Sequence, residues 1–423
     1  MKCTIGALAS VLRNPVVLAL AAAAAAPAVV AGQAANAGQP QVAVVQVESK
    51  AKRLHYLATA QIWTDPGELT PQALLAGPPL ADGSGVEAAL DGRPFPCTFA
   101  RPGKSMGGAT LKFACTTATG STIRVKYSDQ SKKSNREIFA AVAASRLLWA
   151  LGFKTYPVYP LSLECKDCPE DPVSGNGPRA QRSYLAIYQP LFADPVMVDR
   201  SEQDQGWRWG ELNTAIDSLP AGELRSRQRQ HFDALVLVGV LLQHGDRKPE
   251  QQRLSCRGQL NLQAGSVRPL ESENDEAGGV SVFIENPGGT ACDAPAVAMQ
   301  DVGATFGGAG KRTSGSTAKM NLKEWVAKPV FQSKGEPGKV SECRGELTVS
   351  MAAGEGSMGN PRIGEAGRLF LVDRLRRLTD EHLRAIFTAA RVDKITDESA
   401  PVDAWIAAFK DKVRQIEQRT CAP

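Results

Sequence analysis

The stretch VGVLLQHGDRKPEQQRL, residues 238–254, ends an apolar run in a dense group of polar side chains. Asp246, Arg247 and Lys248 follow a glycine directly, and Gln251 comes three residues later. The apolar run is typical of a buried helix, which would give these polar groups a rigid base. A simpler interpretation is a helix-ending turn in which Asp246 pairs with Arg247. Other parts of the sequence are needed to distinguish a functional site from a helix-ending turn.

Length and composition are those of a globular protein. The chain has 423 residues, of which 43% are hydrophobic and 22% are charged. This length is sufficient for one large or two modest domains with real cores. The formal net charge of +5 is small for such a chain, and no dense run of Lys and Arg occurs. We therefore expect no binding to nucleic acid.

The N-terminal segment, residues 1–37, has the pattern of a secretory signal peptide. Lys2 and Arg13 precede the apolar segment PVVLALAAAAAAPAVVAG, and Ala35-Asn36-Ala37 offers a cleavage site. An uncleaved membrane anchor is the alternative. No later segment approaches the roughly 18 consecutive apolar residues of a membrane span. The mature protein is therefore expected to be secreted or periplasmic, and not integral to a membrane.

Cysteine usage agrees with export. The chain has nine cysteines, and removal of Cys3 with the signal peptide leaves an even number. In an oxidising compartment an even number favours disulfides over free thiols. Cys165 and Cys168 form a single Cys-x-x-Cys, which is weak evidence for zinc because no second pair lies at ligand spacing.

The first half of the mature chain is rich in strand patterns. We interpret residues 38–95 as an N-terminal extension with loops. Short strands are predicted within FPCTFA, TLKFACTT and STIRVKYS, and a further strand within RSYLAIYQPLF. Between them, SNREIFAAVAASRLLWALGF predicts a helix, because apolar residues recur every three or four positions and Gly152 follows them.

From about residue 221 the chain is mainly helical. A helical pattern of apolar residues occurs in three segments: ELRSRQRQHFDALVLVGVLLQ, AGRLFLVDRLRRLTDEHLRAIFTAARV and PVDAWIAAFKDKVRQIEQR. Residues 257–291, which are rich in Gly, Glu, Ser and Asn over most of their length, predict a long surface insertion. A strand-rich half with one prominent helix, followed by a helix-rich half, predicts an α+β fold.

Five separate places carry groups suited to one kind of chemistry. In chain order they are the hairpin glycines Gly103, Gly107 and Gly108, then Lys126 in a strand, Glu137 early in a helix, Asp246, and Asp301. A glycine hairpin lets backbone N–H groups approach nucleotide phosphates, and a lysine held by a glutamate neutralises them. One aspartate orients the attacking hydroxyl and another carries a metal ion. The set fits phosphoryl transfer, which rests on positioning and charge neutralisation.

Each of these residues also has a simpler interpretation. Lys126 alone fits an exposed strand lysine, and Glu137 favours the start of any helix electrostatically. Asp301, followed by Val302 and Gly303, fits a strand-ending turn. The order of the motifs along the chain, rather than any single motif, favours a common site.

That order resembles the protein-kinase-like fold, and most closely its atypical members: phosphoinositide kinases, persister-toxin kinases and secretory-pathway kinases. The resemblance rests on the glycine hairpin, the lysine of VKYS, the helix glutamate, GDRKPEQQ and QDVGATFG. It implies a two-lobed fold, which the even number of cysteines predicts to be disulfide-stapled. Residues 96–200 would form a strand-rich N-lobe with one main helix, and residues 201–423 a helical C-lobe.

The resemblance also implies roles in binding ATP and in catalysis. Lys126 and Glu137 would form the phosphate-anchoring ion pair beneath the hairpin glycines. Asp246 would be the catalytic base. Arg247 and Lys248 would steady the γ-phosphate or the catalytic loop.

A divalent metal, Mg²⁺ or Mn²⁺, would be held by Asp301 and Gln251. Gln251 takes the fifth position after Asp246, where the relatives carry Asn, and it is longer by one methylene. The hairpin RPGKSMGGATLKF also differs from the usual Gly-x-Gly-x-x-Gly. Both departures leave open a kinase-like fold that has altered or lost its chemistry.

The main expectation is an exported phosphotransferase that uses ATP and a divalent metal to phosphorylate a hydroxyl of a protein, lipid or sugar. The first alternative is a catalytically inactive exported pseudokinase that serves as a binding or scaffold protein. Nucleotidyl transfer on the same fold and an unrelated disulfide-rich binding protein are the other two.

Cysteine spacing predicts disulfides. Cys97 and Cys115 are each nine residues from Met106, so a hairpin with its tip there places them opposite each other. Cys256 and Cys292 lie on the two strands that, on the kinase resemblance, lead away from the catalytic loop and back to the metal aspartate. The remaining cysteines pair only by elimination, as Cys165–Cys168 and Cys343–Cys421.

Overall fold

The structure is a computed structural model, and it describes most of the chain from residue 43 onward. The described residues are 43–47, 50–90, 92–101, 110–129, 134–190, 196–199, 206–245, 249–257, 267–270, 281–284, 292–307, 319–333, 335, 339–347, 360–396 and 400–423. Within these ranges, none of the helices combines the length and the apolar character needed to cross a membrane.

These ranges contain nine α-helices and fifteen β-strands. The helices are α1 (Lys50–Thr59), α2 (Pro71–Ala76), α3 (Glu137–Ala150), α4 (Trp209–Asp217), α5 (Glu223–Leu242), α6 (Leu322–Val326), α7 (Glu365–Leu375), α8 (Asp380–Ala389) and α9 (Val402–Glu417). The strands are β1 (Ala43–Val47), β2 (Pro94–Ala100), β3 (Lys112–Thr117), β4 (Thr122–Ser128), β5 (Tyr159–Cys168), β6 (Ala180–Tyr188), β7 (Val196–Asp199), β8 (Gln252–Cys256), β9 (Val267–Leu270), β10 (Ser281–Ile284), β11 (Pro295–Met299), β12 (Val340–Ser341), β13 (Cys343–Arg344), β14 (Arg362–Ile363) and β15 (Thr420–Cys421). The mixed α+β class expected from the sequence is confirmed.

Five strands close into a barrel in the order β2-β3-β4-β6-β5. Neighbours pair antiparallel except β2 and β5, which pair parallel and close the ring. Alternate residues of each strand point inward, and the interior is aromatic. Tyr127, for example, lies 5.2 Å from the ring of Phe113 and 4.7 Å from that of Tyr184. The four strands predicted in this region are present, whereas β5 was not predicted.

Helix α3 is buried over most of its length and belongs to the core shared by the helices that follow the barrel. Its apolar residues include Ile138, Val142 and Leu147, each at most 2% exposed. Helix α5 contributes a continuous buried run from Phe232 to Leu242 to the same core. A helix that is apolar around most of its circumference has to be enclosed by neighbours. Both helices are therefore rigid supports for whatever their ends carry.

Residues 38–95 do more than the loops expected from the sequence. Helices α1 and α2 lie in this region, with Leu57 and Leu74 buried in the main core. Helix α1 packs against α4, and α2 against α8. The loop interpretation is therefore wrong for both helices. The sequence did not predict these helices, because the segments around them are polar or rich in Pro and Gly. Each helix is also short, and its stability comes from tertiary packing.

A six-stranded sheet has the order β11-β8-β7-β1-β10-β9. Strands β8 and β11 form an antiparallel pair in which Gln252 is opposite Met299 and Cys256 is opposite Pro295. The expected surface insertion, residues 257–291, contributes β9 and β10 to this sheet, and its remaining residues are largely outside the described ranges. The β8–β11 pair brings the end of the 238–254 stretch beside the strand that precedes Asp301.

One predicted helical segment is divided. AGRLFLVDRLRRLTDEHLRAIFTAARV forms α7 and α8, and Thr379 caps the second helix. The backbone N–H of His382 donates to the Thr379 hydroxyl at 3.4 Å, and the Thr379 N–H donates to His382 Nδ1 at 3.2 Å. This reciprocal cap starts α8, four residues after α7 ends at Leu375.

Four disulfides lie in the described part of the chain, and they match all four expected pairings. The Cα–Cα distances are 5.7 Å for Cys97–Cys115, 5.6 Å for Cys165–Cys168, 5.8 Å for Cys256–Cys292 and 5.3 Å for Cys343–Cys421. The first pair is diagonal rather than directly opposite, because Cys97 faces Thr117 and Cys115 faces Phe99 in register. Diagonal neighbours on one sheet face are still within reach. Four disulfides are compatible with an oxidising, extracytoplasmic compartment.

Candidate functional site

Lys126 lies on the outer face of β4. Val125 and Tyr127 are buried inside the barrel, so the side chain between them points out of it. In register, Lys126 is opposite Lys112 of β3 and Ile187 of β6. Because β4 is paired on both sides, the direction of the lysine side chain is set by the sheet.

Asn135 ties the start of α3 to the end of β4. Its side-chain amide donates to the carbonyl of Tyr127 at 2.9 Å, and its backbone N–H donates to the Ser128 hydroxyl at 2.9 Å. Its side-chain oxygen accepts the backbone N–H of Glu137 at 3.3 Å. These bonds hold Glu137, the first residue of the helix, beside Lys126.

Glu137 is the point at which three distant segments meet. Its side chain is 4% exposed, and both carboxylate oxygens have partners. Oε1 accepts the ammonium of Lys126 at 2.9 Å. Oε2 accepts the hydroxyl of Thr110 at 2.7 Å and also the ammonium of Lys319. A carboxylate with several charge-assisted bonds is held in one orientation.

Asp301 completes the cluster. Its Oδ2 lies 3.1 Å from Nζ of Lys126, and its Oδ1 accepts the backbone N–H of Gly303 at 3.2 Å. Gly303 packs against the stem of Glu137, since a Cβ placed on the glycine would lie 2.4 Å from Glu137 Cγ. Any larger residue would push the Asp301 loop away from α3. Glycine is required here by close approach.

Burial and ion pairing act in opposite directions on the charged groups. Burial alone would lower the pKa of Lys126, but the carboxylates of Asp301 and Glu137 outweigh it and raise that pKa above the ordinary lysine value. Burial alone would raise the pKa of Glu137, but Lys126 and Lys319 outweigh it and lower that pKa below the usual range. The ion pair is therefore charged on both sides at neutral pH.

The 238–254 stretch reaches the same region through its backbone. Gln243 ends α5 with a left-handed conformation, φ 53°. The N–H of Gly245 donates to the carbonyl of Ala304 at 2.7 Å. The charged residues that follow are outside the described ranges, and their predicted roles stay predictions; they are Asp246, Arg247 and Lys248.

Gln251 lies beside Asp301. Its carbonyl accepts the backbone N–H of Gln300 at 2.9 Å and of Asp301 at 3.4 Å. Gln251 is buried, and its side-chain Oε1 has no hydrogen-bond partner among the described residues. A buried oxygen without a partner costs folding free energy unless a group outside the described residues bonds to it.

The donor chemistry of these two residues fits a hard divalent cation. Mg²⁺ and Mn²⁺ prefer carboxylate and amide oxygens, which Asp301 and Gln251 supply. No group of three or more His, Cys, Asp and Glu side chains at metal-binding distance occurs within the described ranges, and Asp246 lies outside them. The described chain thus holds two candidate ligands for a metal rather than a complete cage.

The tip of the predicted glycine hairpin, with Gly103, Gly107 and Gly108, is also outside the described ranges. The strands on both sides of it are paired, with Ala100 opposite Ala114. Thr110, just after the tip, is the residue that donates to Glu137. The returning end of the hairpin therefore reaches the charged cluster.

The structure brings Lys126, Glu137 and Asp301 together from positions up to 175 residues apart. Sequence analysis missed Thr110 and Lys319. Thr110 is two residues after Gly108, and its hydroxyl is a signal that could have been considered. Lys319 comes after a Gly- and Ser-rich segment with no periodicity, and nothing in its local sequence points to the site.

A separate cavity of about 770 Å³ lies along β5 and β6. Residues such as Glu164, Arg182 and Tyr184 line it, and the lining does not include Lys126, Glu137 or Asp301 in the described part of the chain. Its volume alone identifies no chemistry. The charged cluster is the stronger candidate because its groups converge and because the pKa values of Lys126 and Glu137 are shifted.

Comparisons with known proteins add little. No protein-family model matches the chain, and no curated protein matches it. Among solved structures, the chain is similar to a proinflammatory kinase of Helicobacter pylori, CtkA, with 10% sequence identity and a TM-score of 0.38. The match covers 76% of this chain and 94% of that kinase. A similarity this distant assigns neither fold nor function, so the candidate site stands on its own geometry.

Proposed function

We propose that the chain is an exported phosphotransferase with a two-lobed, protein-kinase-like arrangement, which uses ATP and a divalent metal. The barrel with α3 would form the N-lobe and the helical remainder the C-lobe. The acceptor would be a hydroxyl group of a protein, lipid or sugar. Four disulfides support a location in an oxidising compartment.

One observation carries this proposal. The ammonium of Lys126 lies between two carboxylates, 2.9 Å from Glu137 Oε1 and 3.1 Å from Asp301 Oδ2. The three residues come from a strand, a helix start and a strand end, in the chain order on which the kinase-like resemblance rests.

The chain's own groups would act mainly by positioning. Glu137 would hold Lys126 so that its ammonium meets the α- and β-phosphates, and α3 would keep Glu137 fixed because the helix is buried. Asp301 and Gln251 would hold the metal, which when bound neutralises charge on the transferred phosphate. Asp246 is proposed as the base that accepts the proton of the attacking hydroxyl.

The described residues on either side of 246–248 support this proposal. Gly245, on one side, donates to Ala304, and Gln251, on the other, accepts from the backbone of Asp301. Both flanks of residues 246–248 therefore contact the loop that carries Asp301.

The test is incubation of the purified protein with ATP labelled at either the γ- or the α-phosphate, with Mg²⁺ or Mn²⁺. We expect γ-label to be transferred to the protein, an added acceptor or water, and α-label to stay in the nucleotide. The matched variants are Asp301→Asn, which should abolish transfer, and Asp293→Asn, which changes an exposed carboxylate before the same strand and should not.

Other outcomes assign the alternatives. Transfer of α-label would identify a nucleotidyl transferase. Metal-dependent nucleotide binding in a thermal-shift assay without transfer of either label would identify a pseudokinase. Absence of both binding and transfer would overturn the proposal and favour a binding protein unrelated to nucleotides.

A further inference from the structure

Lys319 is a second cation at Glu137. Its ammonium contacts Oε2, while Lys126 occupies Oε1. The two lysines are unrelated in sequence, because Lys319 lies beyond the Asp301 loop and 182 residues from Glu137. Its side chain is 23% exposed, so the contact lies at the edge of the buried cluster.

The backbone around Lys319 is held in place independently of this contact. The N–H of Met320 donates to the carbonyl of Thr305 at 3.0 Å, and the N–H of Asn321 donates to that of Phe306 at 2.6 Å. Met320 itself is fully buried. The chain that leaves the Asp301 loop therefore returns along it, and this return places Lys319 over Glu137. A lysine held by a fixed backbone can serve as a permanent counter-charge.

The charge balance shows what that counter-charge does. Lys126 faces two carboxylates, those of Glu137 and Asp301, and without another cation the three groups carry a formal charge of −1. Lys319 brings the cluster to zero. An anionic nucleotide approaching a negative cluster is repelled, and repulsion in a partly buried site is screened less than at the surface.

We propose that Lys319 is a positioning residue for the nucleotide site. Lys319 offsets the negative charge of Glu137 at its second oxygen. Glu137 therefore attracts Lys126 less strongly, and the Lys126 ammonium is available to phosphate. Lys319 also keeps Glu137 oriented when Lys126 turns toward the nucleotide. This inference rests on the proposed function, and it adds a residue that lies outside the five motifs.

Thr110 provides the internal comparison. Its hydroxyl donates to the same oxygen as Lys319, at 2.7 Å, but carries no charge. If only hydrogen-bond geometry at Oε2 matters, removing either donor should have a similar effect. If charge matters, the lysine should matter more, because it brings a full positive charge to the carboxylate and the hydroxyl does not.

The experiment measures the affinity for ATP with Mg²⁺ by equilibrium dialysis, and kcat and KM where turnover is detected. Lys319→Met should weaken binding about tenfold, and Thr110→Val clearly less. Lys319→Arg, which keeps the charge, should restore affinity to near that of the parent. Lys410→Met, which breaks an exposed ion pair with Asp380 between α9 and α8, should leave it unchanged.

A nucleotide-free measurement separates the inference from the proposed function. In a double-mutant cycle of Lys319→Met and Glu137→Gln, we expect thermal midpoints to be non-additive by about 2 °C or more. If the parent binds no nucleotide, the proposed function fails and the role toward phosphate fails with it, whereas the cycle still reports the ion pair. If the parent binds but Lys319→Met binds equally well or better, Lys319 is a structural tie or an inhibitory contact and the inference is overturned.

Discussion

Glu137 and Asp233 are two carboxylates of similar burial with opposite electrostatics. Asp233, on α5, is 6% exposed, and Glu137, on α3, is 3% exposed. Asp233 accepts the backbone N–H of Gly364 at 3.0 Å and has Arg229 as its cation at 3.5 Å. Burial outweighs these partners and raises the pKa of Asp233, whereas two lysines lower the pKa of Glu137.

The difference shows that burial of a charge does not by itself mark a site. Asp233 lies where α5 and α7 pack closely, since a Cβ on Gly367 would come within 2.4 Å of Asp233 Cβ. Its partners come from the helices it joins. Glu137 instead bonds to Lys126 and Lys319, which come from two separate parts of the chain. Lys126 also contacts Asp301. A carboxylate on which cations from separate segments converge is more typical of a functional site than of a packing contact.

The sharpest test of this comparison removes one cation from each carboxylate. Lys126→Met should reduce the release of phosphate from γ-labelled ATP on the order of 10²–10³-fold, because the preorganised charge that meets the phosphates is lost. The fold should persist, since Glu137 keeps Lys319 and Thr110. Arg229→Met is the matched control and should leave the rate unchanged. A folded Lys126→Met protein with the parent's rate would remove Glu137's cluster from consideration as a site.

The metal should depend on Asp301 more than on Gln251. Asp301→Asn should weaken Mn²⁺ binding in the presence of a non-hydrolysable ATP analogue by on the order of 10²-fold, because a carboxylate is the stronger ligand for a hard cation. Gln251→Asn should keep or improve binding, because it restores the usual ligand length. Electron paramagnetic resonance of free Mn²⁺ measures both, with Asp293→Asn as the control. Equal Mn²⁺ affinity in Asp301→Asn and the parent would contradict the site as described.

Neutral isosteres should separate the two carboxylates by stability. Glu137→Gln should lower the free energy of unfolding at pH 7 by about 2 kcal/mol, less than for a fully buried pair because both lysines are partly exposed. Asp233→Asn should cost less than about 1 kcal/mol, since burial already disfavours the charged aspartate. Urea denaturation provides both values. Similar losses in the two variants would mean that Glu137 is as structural as Asp233.

The smallest expected effect is in the pH dependence, where the two groups have opposite signs. The lowered pKa of Glu137 means that its stabilisation is present above the ordinary glutamate pKa and is lost as pH falls. The raised pKa of Asp233 means that its contribution is present below the ordinary aspartate pKa and is lost as pH rises through the folded value. Each effect should be about 1 kcal/mol over the accessible range.

Urea denaturation between pH 3 and 7 can resolve these two slopes. Glu137→Gln should flatten the loss of stability toward acid, and Asp233→Asn should flatten the decline above about pH 4. The parent serves as the reference, because it contains both contributions. Identical pH profiles for the two variants would show that their carboxylates do not differ as the geometry indicates.

Part of the site could be predicted from local sequence. Alternation along STIRVKYS places Lys126 between two inward residues, and helical spacing places Glu137 at the start of the next element. A strand followed within a few residues by a helix leaves few arrangements of two such side chains. Gln251 and Asp301 were harder, because each is near the end of an element and their proximity depends on the pairing of β8 with β11.

What the sequence alone determined were the mixed α+β class, the strands β2, β3, β4 and β6, the long buried helices and the Cys97–Cys115 pairing. These depend on side-chain periodicity and short-range spacing, which act within one or two elements. Only the tertiary structure decided that β5 closes a barrel with β2, that α1 and α2 join the main core, and that Lys319 reaches Glu137. Such contacts join residues far apart in the chain, where no local pattern selects the partner and the free energy of packing the whole core does.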